Sequence, residues 1–162
     1  MSQKITPNLW FDGNVEEAAE FYVDLFEDGK ILNTSYYPEN SPGPAGAVMT
    51  VEWELHGQTF IGINGGPQFK FDEAVSFMIS CKDQAEVDYF WERLTDGGEE
   101  GQCGWCKDRF GLSWQVVPEG MDVVFSDPDK EKAQRAMQAM LKMQKLDVAA
   151  LRAAAEGEPV PE

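Results

Sequence analysis

Residues 5–26 read ITPNLWFDGNVEEAAEFYVDLF, and the reading of this stretch decides the fold. Ile5 to Phe11 is short and apolar enough to form a strand. Asn14 stands where a helix N-cap belongs, with Glu17 three residues on in capping-box spacing. Val15, Ala18, Ala19, Tyr22, Leu25 and Phe26 then recur at helical intervals, which predicts a three-turn helix buried along one face and stopped by Asp28-Gly29. The plan returns further along the chain. Ala74 to Cys81 reads as a strand, Asp83 and Glu86 as a second capping pair, and Val87, Phe90, Trp91 and Leu94 as a second buried helix face, closed by Asp96-Gly97-Gly98. At an offset of 68, Ala19 falls on Val87, Phe21 on Tyr89, Tyr22 on Phe90 and Phe26 on Leu94. An internal duplication restricts the possible folds more than any single motif does.

Strands follow each helix. Lys30 to Tyr37, Ala47 to Leu55 and Gln58 to Asn64 are expected in the first module, with Pro38 to Gly46 as a surface loop and His56-Gly57 as a two-residue hairpin turn. Glu99 to Gln102, Cys103 to Asp108 and Leu112 to Pro118 are expected in the second. The fold class is therefore α+β, with two βαβββ modules at about residues 1–66 and 73–118 forming half-open curved sheets. Beyond Pro118 a C-terminal helical arm, 119–162, is predicted. One of its helices starts at Ser126-Asp127-Pro128 and carries the stripe Ala133, Ala136, Met137, Met140 and Leu141, expected to pack on the main domain or on a partner subunit. Another runs from Asp147 to Glu156 and ends at Gly157, and Glu158 to Glu162 should fray.

Composition removes several function classes. The 162 residues carry 13 basic and 29 acidic side chains, a formal charge of −16, and −13 of that lies in residues 1–118. A chain so acidic lacks the clustered Lys and Arg that bind nucleic-acid backbones or anionic membranes. MSQKITPNLW has no signal-peptide pattern, no apolar run reaches membrane-spanning length, and three cysteines do not make a secreted disulfide framework, so a cytoplasmic protein is expected. The nearest approach to a nucleotide-binding turn, Gly62-Ile63-Asn64-Gly65-Gly66-Pro67, runs into proline and not into a helix.

Reactive side chains read mostly as structural. His56 is the only histidine and sits at a hairpin tip. Cys103-Gly104-Trp105-Cys106 has C-x-x-C spacing, but in a strand, where side chains three apart point to opposite faces. Glu52 and Glu54 share a strand face opposite Val51, Trp53 and Leu55, which reads as a solvated face. Asp72/Glu73 and Glu99/Glu100 are further acidic pairs in a chain too rich in acids for any one to be informative.

The segments 9–18 (LWFDGNVEEA), 63–67 (INGGP), 103–105 (CGW) and 108–118 (DRFGLSWQVVP) resemble the PhnB-like branch of the vicinal-oxygen-chelate superfamily, which includes glyoxalases and bleomycin-resistance proteins. That branch often carries the description 3-demethylubiquinone-9 3-methyltransferase, and some members have a similar helical tail. The resemblance implies two facing cups, frequently in a dimer, and a divalent metal held by four side chains from the first and last strands of the two modules. Here those places fall near Pro7, Gly62, Ser76 and Gln115. Proline and glycine offer no ligand, serine a poor one and glutamine a weak neutral one, so no metal and no other cofactor is expected.

Strand parity then nominates a ligand site inside the cup. Leu9 and Phe11 would line the first strand, Phe60, Gly62 and Asn64 the fourth, Ser76, Met78 and Ser80 the fifth, and Ser113, Gln115 and Val117 the last. Phe11, Phe60, Asn64, Met78, Trp105 and Gln115 are the expected ligand contacts, the aromatic and Met side chains giving apolar surface and the two amides fixing orientation. The expected function is binding of a small aromatic or amphipathic molecule. The alternative is an enzyme of the same superfamily, of lyase, isomerase or oxygenase type or the methyltransferase of the family description. Half-open sheets with unprotected edges and a Met-rich arm further predict a symmetric homodimer.

Overall fold

The computed structural model describes residues 3–159. The chain divides into two compact units after Phe71. The first contains β1 (Asn8–Phe11), α1 (Val15–Leu25), β2 (Lys30–Tyr36), β3 (Val48–Leu55) and β4 (Gln58–Asn64), with sheet order β1-β4-β3-β2. The second contains β5 (Ser76–Cys81), α2 (Gln84–Thr95), β6 (Glu99–Glu100), β7 (Trp105–Lys107) and β8 (Ser113–Pro118), with order β5-β8-β7-β6. Each unit pairs its first strand in parallel with its last and closes the sheet with antiparallel neighbours. The repeated βαβββ plan is thus the architecture.

In the first unit α1 buries Val15, Ala18, Ala19, Tyr22 and Leu25 on the sheet. Tyr22 stacks on Trp53, which stacks on its cross-strand partner Phe60 at 6.0 Å between ring centroids. Gly62 is needed beneath this layer, because an added Cβ would lie 2.3 Å from Cγ2 of Val15 and 2.8 Å from the Trp53 ring. The helix start differs from the sequence expectation. Asn14 makes no side-chain cap; the amide oxygen of Asn64 accepts from Val15 N at 3.0 Å in its place. The strand at the amino end begins at Asn8, and Ile5 is exposed.

The His56-Gly57 turn forms as expected, with φ of 46° and 80°, and His56 is solvent-facing, 3.5 Å from Asp28. In the second unit Asp83 caps α2 by accepting from Glu86 N, while Glu86 reaches back to Lys82 N. Val87, Phe90, Trp91 and Leu94 are the buried face.

The arm forms α3 (Asp122–Phe125), α4 (Lys130–Met140) and α5 (Val148–Glu156). Its first long helix starts later than Ser126-Asp127-Pro128 suggests. Asp129 is the cap, accepting from Glu131 N and Lys132 N, and Asp127 caps only Asp129 N. The expected stripe is partly right: Ala136 and Met140 are buried, while Leu141 is exposed. They join Met121, Val124, Leu146, Leu151 and Ala155 in one core cluster. Gly157 ends α5 at φ 72°, and Glu158 is still tied to Ala153 O; Val160 to Glu162, expected to fray, lie outside the described residues. Among the described residues no helix is long and apolar enough to cross a membrane.

Candidate functional site

Each sheet has a helix on one face and leaves the other open. In the second unit the register lays the open face out in rows. Ser76, Ser113 and Lys107 form one row, and Met78, Gln115 and Trp105 the next. Ser80 and Val117 begin a third. The side chains between them, Phe77, Ile79, Cys81, Trp114, Val116 and Cys106, turn toward α2, in agreement with the parity read from the sequence. Trp105, one of the expected contacts, shares the open face with Gln115.

The polar groups on this face are only partly engaged. Gln115 Nε2 donates to Ser76 Oγ at 2.9 Å. Lys107 pairs with Glu73, which holds the Glu73 carboxyl below its ordinary range and the Lys107 ammonium above its own. Ser113 is 1% exposed, and its hydroxyl has no hydrogen-bond partner. Such a buried hydroxyl is costly unless something supplies a bond. Met78 stands beside it in the next row, 60% exposed.

The first unit corrects the sequence reading. Leu9, Phe11, Phe60, Gly62 and Asn64 lie on the α1 face, not on the open one. Phe11 and Phe60 are buried, Phe11 edge-on to Phe71. Asn64 is spent on structure: besides capping α1 it donates to Val48 O at 3.1 Å, and its own carbonyl accepts from Tyr37 Oη. The open face carries Trp10, Ile61, Ile63, Thr50, Glu52 and Glu54. Both alternate sets on β4 are apolar, so alternation alone could not tell which of them meets the helix.

A cleft of about 700 Å³ opens beside Asn64, lined by Asp12, Glu16, Tyr37, Pro42 and Gln68 among others. Sequence reasoning missed it because one wall is the 38–46 loop. The loop is folded back by backbone bonds between Tyr37 and both Gly46 and Ala47, so it is a shaped wall and not a loose excursion.

The places that the resemblance assigns to a metal do not fit one. Pro7 offers only its carbonyl, which accepts from Ile61 N. Gly62 faces α1, and Ser76 and Gln115 bond each other. Among the described residues no group of three or more His, Cys, Asp or Glu is placed to hold a metal ion.

The C-x-x-C segment is not a single strand. Cys103 has φ 57° and Gly104 φ 84°, so β7 begins only at Trp105. Cys103 Sγ lies 3.5 Å from Met140 O in the arm, whereas Cys106 is buried under α2. Burial first, and then the charges of Asp108 and Glu100, push the Cys106 thiol up to about 12. Cys81 is pushed to the same value by burial and then by Glu86 and Asp83. Neither thiol is a nucleophile near neutral pH.

Asp108, in the 108–118 motif, is structural. It is 2% exposed and accepts from Phe110 N and Leu112 N through one oxygen and from Trp114 Nε1 through the other. The motif is explained by this lock on the turn before β8.

Comparison with known proteins agrees with this architecture. A family model described as 3-demethylubiquinone-9 3-methyltransferase matches residues 3–117. A PhnB protein from Bacillus cereus is 34% identical, with 72% of this chain and 99% of that chain covered and a TM-score of 0.66. A protein from Pseudomonas aeruginosa, 23% identical, covers 73% of this chain and 98% of its own, with a TM-score of 0.60. The genomically encoded fosfomycin resistance protein of Listeria monocytogenes is 15% identical over 72% of this chain and 93% of its own, at a TM-score of 0.50. The last two speak to fold alone. No protein of curated function matches the chain.

Proposed function

Because the chain belongs to the 3-demethylubiquinone-9 3-methyltransferase (PhnB-like) family of the glyoxalase/bleomycin-resistance superfamily, we propose that it binds a small aromatic or amphipathic molecule on the open face of its second sheet. The observation that carries this reading is the row Met78, Gln115 and Trp105 on the open face, with Met78 60% exposed. Trp105 and Met78 supply apolar and π contact, and Gln115 offers an amide acceptor. Phe11, Phe60 and Asn64 are left out of the contact set, since α1 occupies their side of the sheet.

The reading is of a binder and not of a metal enzyme, because the inferred ligand places carry no adequate donors. Nor does methyl transfer find support in the chain: the Gly62–Pro67 turn leads out of β4 into no helix. The test is native mass spectrometry of freshly purified protein together with elemental analysis. A small-molecule adduct lost in Gln115→Leu and Trp105→Ala supports the proposal. Adducts that persist in both variants, no adduct at all, or one metal per chain lost on Gln115→Ala overturn it.

We further propose a symmetric homodimer. β2 is a sheet-edge strand with Ile31, Leu32 and Tyr36 exposed, a surface that proteins ordinarily cover. Light scattering should give near twice the 18.1 kDa of one chain; a monomer across the micromolar range would contradict it.

A further inference from the structure

The arm lies beyond the residues that the family model matches, yet it is built into the second unit. Two features fix it. Cys103 N donates to Met143 O and Gly104 N to Gln144 O, both at 2.8 Å, so the turn before β7 grips the segment between α4 and α5. Gly104 is required at that grip, since an added Cβ would lie 2.9 Å from Val116 O and 3.0 Å from Leu146 Cδ1. On the other side Gln84 bridges the same segment, donating to Leu146 O and accepting from Val148 N.

This placement reaches the open face. Val117 follows Gln115 by two residues on β8, so both point to the same side of the sheet. Val117 and Cys103 pack against the arm cluster of Met140, Leu146 and their neighbours. At roughly 3.3 Å per residue the arm therefore closes the face about 7 Å beyond Gln115, along the direction of β8. At the opposite end the Lys107–Glu73 pair bounds the row of Ser76 and Ser113. The space between is one row deep.

We infer that the arm is a specificity element of this chain: it walls off the end of the ligand floor at Val117 and restricts the ligand to a single ring with one polar substituent and at most a short apolar tail along β8. The inference rests on the open face being the ligand floor, as proposed above. The polar substituent faces Gln115, the ring lies against Trp105 and Met78, and the tail meets Val117 and the arm.

The experiment is a calorimetric series on the full chain with phenol and its 4-ethyl, 4-butyl, 4-hexyl and 4-octyl derivatives. Affinity should rise with the first carbons and then fall at least tenfold where the tail meets the wall. In Val117→Ala, and independently in Met143→Ala on the arm, that break should move to a longer tail, and Val117→Phe should move it to a shorter one. Gln115→Leu should weaken every member of the series and leave the break in place. A series without a break, or a break unmoved by all three wall variants while Gln115→Leu still weakens binding, overturns the arm's role and leaves the ligand floor standing. Binding indifferent to Gln115→Leu and to Trp105→Ala, or no binding by any member, overturns both.

Discussion

The amide oxygen of Asn64, the last residue of β4, accepts a hydrogen bond of 3.0 Å from the backbone N–H of Val15, the first residue of α1, 49 positions earlier in the chain. The same amide donates to Val48 O on β3. One side chain thus caps the helix and ties it to two strands. Asn64→Ala should cost about 1–3 kcal/mol in urea unfolding, the scale of a lost helix cap plus a lost part-buried hydrogen bond to Val48 O. Asn14→Ala, which removes no cap bond, should cost less than about 0.5 kcal/mol. The reverse order would refute the long-range cap.

Asp108 offers a second test. Its removal takes away the carboxylate that accepts from Phe110 N, Leu112 N and the Trp114 indole N–H. Asp108→Ala should destabilise by roughly 2–5 kcal/mol, with most of the loss in the second unit. Asp108→Asn keeps part of the acceptor set and should fall between the two. A loss below 1 kcal/mol for the alanine variant, on the scale of an exposed site, would show that the turn is held otherwise.

The thiols should separate cleanly. In the native protein iodoacetamide at pH 8 should modify Cys103 before Cys81 and Cys106, and all three should react in urea. Cys81 and Cys106 keep their protons in the folded state up to about 12. The unfolded thiols ionise near their ordinary pKa of about 8.5. The folded state therefore binds more protons between these limits, and stability is full below about pH 8.5 and falls as pH rises toward 12, by up to about 1.4 kcal/mol per unit for each thiol. Flat stability over that window in wild type, or the same slope in the Cys81→Ala, Cys106→Ala double variant, would remove the thiols as the cause.

The arm's attachment can be probed without ligand. Gln84→Ala leaves Leu146 O and Val148 N unbridged at the start of α5. Hydrogen exchange in α4 and α5 should accelerate by about tenfold, the equivalent of one lost buried hydrogen bond, while α1 and its sheet stay unchanged. Uniform acceleration across the chain would mean that the arm has no local opening of its own.

The sequence by itself determined the βαβββ duplication, because helical spacing at residues 15–26 and 87–94, caps and turn residues are local signals. It also settled the faces of β5 and β8, where polar Ser76, Ser113 and Gln115 alternate with Phe77, Trp114 and Val116. It could not settle the faces of β4, since Phe60-x-Gly62 and Ile61-x-Ile63 are both apolar. Only tertiary packing chose, by fitting the Trp53–Phe60 stack and the bare Cα of Gly62 under Val15 and Tyr22. The cap from Asn64, the lock of Asp108 on Trp114 and the arm's closure at Val117 were likewise out of reach, for the same physical reason. Each depends on groups that the chain brings together only after its sheets have formed, and a single hydrogen bond or buried methyl group leaves no periodic trace in the order of residues.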